Sequence, residues 1–79
     1  MESIFEKVKE TVNEIKQLNG ADSVEVTMES RIVHDLGFKS LDVAQLIAML
    51  EVEFGKDPFS EGASLAEVMT IEDLCRLYM

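Results

Sequence analysis

One cysteine, one proline and one histidine are all that 79 residues offer of those kinds, and basic residues number seven. A single cysteine allows no internal disulfide and no cysteine-based metal centre. The lone histidine restricts any Ser-His-Asp arrangement to His34 with Ser40 across a short turn. Nothing near them in the sequence builds an oxyanion hole or a substrate cleft, so His34 reads as a surface loop residue. No D-x-D-x-D-G run exists to hold calcium, and no other metal site is expected. The glycines, at 20, 37, 55 and 62, form no phosphate cradle. No apolar run approaches the roughly 18 residues that span a membrane. The chain opens amphipathic and Glu-rich, not basic and then apolar. That argues against a secretory leader and makes the cytoplasm the expected compartment.

The scarcity of bases sets the charge. Sixteen acids against seven bases leave a net −9. Such a balance argues against nucleic acid and anionic lipid as partners. It favours basic protein surfaces, reached quickly by electrostatic steering. The charge is uneven along the chain. Residues 2–18 hold four acids and three bases, whereas residues 40–79 hold eight acids and two bases. The excess follows Ser40.

A chain this short buries only about 60% of its unfolded surface. It suffices for one domain, residues 1–79, with a modest core, and a monomer is expected. It does not suffice for a large enclosed active site. Residues 2–18 read as a helix, because Ile4, Phe5, Val8, Val12, Ile15 and Leu18 recur at steps of three or four. Gly20 is a left-handed stop. Residues 23–28 alternate polar and apolar, but a lone strand would leave its backbone unpaired. Residues 21–39 therefore read as a long loop that lays Val26, Met28, Ile32 and Leu36 on the helices, with room for one helical turn. Residues 40–54 form a second helix, with Leu46, Ile47, Leu50 and Phe54 inward and Gly55 ending it. Pro58 forces a break. Ser64 and Glu67 fit a capping box for a short helix, and Thr70 caps a last one running to about Tyr78. Ile71, Leu74, Cys75 and Tyr78 are its inner stripe, which makes Cys75 a small core residue and not a low-pKa nucleophile. The fold class is all-α: a small four-helix bundle, three longer helices and one short, with a long loop between the first two.

Ser40 stands where the loop meets the second helix. From the residues alone it is either a helix cap or an exposed point of attachment, and an acidic helical interaction module without any prosthetic group fits the first use.

The run Asp35-Leu36-Gly37-x-x-Ser40-Leu41-Asp42 resembles the attachment signature of acyl carrier proteins. The run Leu50-Glu51-Val52-Glu53-Phe54-Gly55 is similar to the acidic end of that family's second helix. Val26-Thr27, Ile32-Val33 and the Asp35-Leu36-Gly37 turn match the spacing of its first loop. The resemblance covers essentially the whole chain. It implies a non-catalytic carrier whose Ser40 bears 4′-phosphopantetheine, attached by a phosphopantetheinyl transferase. It also implies acyl-transferring and condensing partner enzymes with basic docking patches, in fatty acid, polyketide or related lipid biosynthesis. The docking positions it implies are Asp35, Asp42, Glu51 and Glu53, with Leu41, Ala44 and Ala48 as apolar contacts. Two residues depart from the pattern. Lys39 stands before the serine where the family most often has aspartate, and Phe38 is bulkier than the small residue usual after Leu-Gly. They leave room for a specialised carrier.

The crowded acids carry a consequence for stability. The melting midpoint should rise between about 10 mM and about 200 mM salt as self-repulsion is screened. An unchanged midpoint in thermal melts would contradict it.

Overall fold

Ser3 starts the first helix. Its hydroxyl oxygen accepts the Glu6 N–H at 3.1 Å, which satisfies one of the free donors of the first turn. The computed structural model describes residues 3–60, 62 and 64–79, so the expected start at Glu2 lies outside the described residues. Helix α1 spans Ile4–Leu18 and buries Val8, Thr11, Val12 and Ile15. Thr11 is tolerated there because its hydroxyl donates to the Lys7 carbonyl at 2.8 Å. Leu18, expected on the same stripe, is 66% exposed. The chain turns away at Gly20, which takes a φ of 76°, and leaves the end of the stripe uncovered.

Helix α2 spans Ser40–Phe54 and ends at Gly55 in the left-handed region, as the sequence predicts. Its buried side is turned slightly from expectation. Val43, Leu46 and Leu50 face inward, while Ile47 and Phe54 are half-buried. The spacing of three and four still makes one stripe, shifted toward the start of the helix. Full burial of a leucine such as Leu46 or Leu50 contributes roughly 1.5–3 kcal/mol.

A 3-10 turn, Leu65–Glu67, stands where a short helix is expected. Ser64 forms no side-chain cap bond; its backbone carbonyl accepts the Glu67 N–H at 3.1 Å instead. Helix α3, Ile71–Leu77, carries the cap that the sequence predicts. The Thr70 hydroxyl accepts the Asp73 N–H at 3.2 Å, and the Asp73 carboxylate accepts the Thr70 and Met69 N–H groups, both at 3.0 Å. Ile71, Leu74, Cys75 and Tyr78 are all buried. Phe54 and Tyr78 close that end of the core, ring centres 5.3 Å apart. Helix α1 packs against both α2 and α3. The described residues thus form three helices and a 3-10 turn, with no strand longer than an isolated bridge between Arg31 and Thr70.

The long connection over residues 19–39 is anchored by polar atoms. The Asn13 side chain accepts the Val24 N–H at 2.8 Å and donates to the Val24 carbonyl at 3.2 Å. One amide side chain thereby does for Val24 what a partner strand would do. Further along, Ile32 N–H donates to the Met69 carbonyl at 2.9 Å, Ile71 N–H to Ser30 at 3.0 Å, and Glu72 N–H to Met28 at 3.0 Å. These bonds seat Val26, Ile32 and Leu36 in the core.

The two serine/threonine–acid pairs predict different costs. Thr70→Ala should destabilise the fold by about 1 kcal/mol. Ser64→Ala should stay within about 0.5 kcal/mol of the parent. Urea unfolding compares them; equal losses would contradict the assignment of the cap.

Candidate functional site

The site begins with a single helical turn. Asp35 N–H donates to the Arg31 carbonyl at 2.8 Å, and Gly37 N–H to Val33 at 3.1 Å. The Asp35 carboxylate closes the turn from the other side by accepting the Arg31 N–H at 2.7 Å, with the Arg31 guanidinium at 3.4 Å. Those contacts, the backbone bond first, hold the Asp35 carboxyl below its ordinary value. Gly37 then takes a φ of 71°, which any side chain would strain. The turn delivers Phe38 into the core, 3% exposed, with the Lys16 ammonium 6.0 Å from its ring centre. Phe38, singled out in the sequence only for its bulk, is the anchor that fixes where α2 begins. Its position between Gly37 and a charged residue gave no periodic signal of burial.

Lys39, not Ser40, occupies the cap position of α2, with extended backbone. A lysine side chain cannot accept a hydrogen bond, so the cap is built from Asp42 alone. One Asp42 oxygen accepts the Lys39 N–H at 2.9 Å; the other accepts the Asn19 side-chain amide at 3.0 Å. Ser40 is therefore the first residue inside the helix. Its side chain is exposed and, among the described residues, in no hydrogen bond. The helix ladder begins with Val43 N–H on the Lys39 carbonyl at 3.0 Å. The N–H groups of Ser40, Leu41 and Asp42 precede it and point out of the positive end of the helix. An exposed hydroxyl beside free donors suits a covalently attached phosphate.

Beside Ser40 lies an apolar hollow of about 210 Å³ lined by Ile32, Val33, Val43, Leu65 and Val68. A second hollow of about 460 Å³ runs along α2 between Ala44, Ala48 and Phe59. Leu65 lines both. On the outer face of α2, Leu41 is 80% exposed and Val52 86%, with Ala44 and Ala48 exposed between them. Steps of three and four put all four residues on one stripe.

The acids at the far end of α2 differ in their surroundings. Glu53 pairs with Lys7 of α1 at 3.2 Å. Glu51 is half-buried, and loss of water followed by the neighbouring Asp57 carboxylate raises its pKa above the ordinary 4.5. His34 is exposed on the turn, and Cys75 is buried in the core.

Comparison with known proteins places the whole chain among its relatives. The phosphopantetheine attachment site family matches residues 7–78. An acyl carrier protein of Solidesulfovibrio magneticus is 39% identical over 71 residues, 90% of this chain and 85% of that protein. One from Clostridium acetobutylicum is 49% identical over 51 residues, 65% of this chain and 62% of that protein. The solution structure of an acyl carrier protein from Pseudomonas fluorescens involved in mupirocin biosynthesis superposes with a TM-score of 0.85. It is 36% identical, and the match covers 95% of this chain and 67% of that one.

The raised pKa of Glu51 has a definite sign. A carboxyl titrating higher in the folded state favours folding while protonated, and that contribution is lost as pH rises through its folded pKa. Glu51→Gln should therefore melt above the parent at about pH 7, with the gap narrowing toward about pH 4. A variant that melts lower than the parent at neutral pH would contradict this.

Proposed function

The chain belongs to the acyl carrier protein family, and from that premise we propose that Ser40 bears its 4′-phosphopantetheine arm. The family attaches this group covalently and carries acyl intermediates of fatty acid, polyketide and related biosynthesis on it. The arm, when bound, supplies a thiol that holds acyl groups as thioesters. Every other task falls to the chain's own residues.

The observation that carries the assignment is the exposed Ser40 hydroxyl at the first position inside α2, outside the cap that Lys39 and Asp42 form without it. It is open to a modifying enzyme from outside. The free N–H groups after it favour the phosphate charge once attached. The apolar hollow beside it matches an acyl chain in character, not a polar cargo. We assign partner docking to the outer stripe of α2 and the turn before it: Leu41, Ala44 and Ala48 give apolar contact, and Asp35 of the turn with Asp42, Glu51 and Glu53 of α2 gives a negative rim. Partners would be a phosphopantetheinyl transferase and acyl-transferring and condensing enzymes with basic patches. In this reading residues 1–79 act as one carrier domain, monomeric and cytoplasmic, which partner enzymes modify and which catalyses no step itself. No helix among the described residues is long and apolar enough to cross a membrane.

Incubation with coenzyme A and a broad-range transferase, followed by intact mass measurement, tests the assignment. The parent should gain one phosphopantetheinyl group. Ser40→Ala should gain none while keeping its stability within about 0.5 kcal/mol, because the serine side chain is not the cap. A gain in Ser40→Ala would move the attachment elsewhere. No gain in the parent with any competent transferase would leave the acidic interaction module as the reading.

A further inference from the structure

We propose that Lys39 is the counter-ion of the phosphodiester on Ser40, so that loading the arm stabilises the helix start and with it the fold. This rests on the Ser40 assignment. Among the described residues, the ion pairs are Lys7–Glu53, Lys9–Glu6, Arg31–Asp35 and Arg76–Glu72, and none of them uses Lys39. The carboxylates nearest in sequence are engaged elsewhere. Asp42 gives one oxygen to the Lys39 backbone and the other to Asn19; Asp35 holds Arg31. The Lys39 side chain is exposed and has no such partner to leave.

In the unloaded chain this cation is badly placed. It stands at the cap of a 15-residue helix, where the dipole end is already positive. An aspartate or serine there would relieve the end; a lysine opposes it. Adding an anion to the next residue reverses the sign. Neighbouring Cα atoms are about 3.8 Å apart, and the flexible four-carbon stem lets the ammonium reach the oxygens of a phosphate on Ser40. The phosphate then meets the ammonium on one side and the free N–H groups of the first turn on the other. Lys39 acts here as a positioning residue, since it also restrains the first bonds of the arm.

Melting of matched unloaded and loaded protein, with loading verified by mass, tests the idea in the parent, Lys39→Gln and Lys39→Arg. Loading should raise the parent's midpoint. Lys39→Gln should lose more than half of that rise, and Lys39→Arg should keep it. Unloaded Lys39→Gln should itself melt above the unloaded parent. The rise should shrink at about 1 M salt, where the Debye length is about 3 Å. The phosphorus NMR resonance of the loaded chain should move in Lys39→Gln and stay near the parent position in Lys39→Arg. An equal rise in the parent and Lys39→Gln, or an unmoved phosphorus resonance, overturns the inference and leaves the attachment site standing. A parent chain that takes no arm overturns both.

Discussion

Asp42 holds the two halves of the molecule in register. One oxygen stops the loop and starts α2 through the Lys39 N–H; the other reaches Asn19, just past the end of α1. The end of one helix and the beginning of the next are thus tied through one carboxylate. Because that carboxylate supplies the cap, Ser40 is spared the task and its hydroxyl stays free. Phe38 completes the constraint from below by burying its ring immediately before the cap. The backbone at the start of α2 is fixed while its first side chain stays uncommitted, and this arrangement separates the two.

The same division runs through the acids. Asp35, Asp42 and Asp73 each commit one carboxylate oxygen to backbone N–H groups, which makes them part of the local fold. Glu53 is joined to α1 through Lys7. A partially exposed pair of this kind contributes at most about 1 kcal/mol, and a basic partner can compete for it. The acidic character of the chain therefore has two layers, one that shapes turns and one at the surface. Composition alone does not distinguish them.

Much of this was readable from the residues. The bounds of α2 followed from a polar start, apolar periodicity and Gly55. The inner stripe of α3 followed from Thr70 and its spacing. What escaped was set by distant partners. Leu18 looks buried by period, but its exposure depends on where Gly20 sends the chain. Ser64 and Glu67 have the capping spacing, yet the turn after them is too short to use it. Asn13 reads as one polar residue on a charged face, although it replaces a missing strand for Val24. At the candidate site, the place of Ser40 at the start of α2 was legible from its neighbours. That Lys39 would take the cap was not, because lysine has no acceptor and only the reciprocal bond from Asp42 makes the position work.

Cys75 matters for what it does not do. A thioester passes readily to another thiol, and the attacking species is the thiolate. A reactive cysteine on a carrier would draw the cargo off the arm and onto the protein. Cys75 lies in the core, 2% exposed, and burial followed by the nearby Glu72 charge pushes its thiol further from ionisation. The one thiol of the chain is thereby kept chemically silent, and the cargo meets no competing thiol on its own carrier.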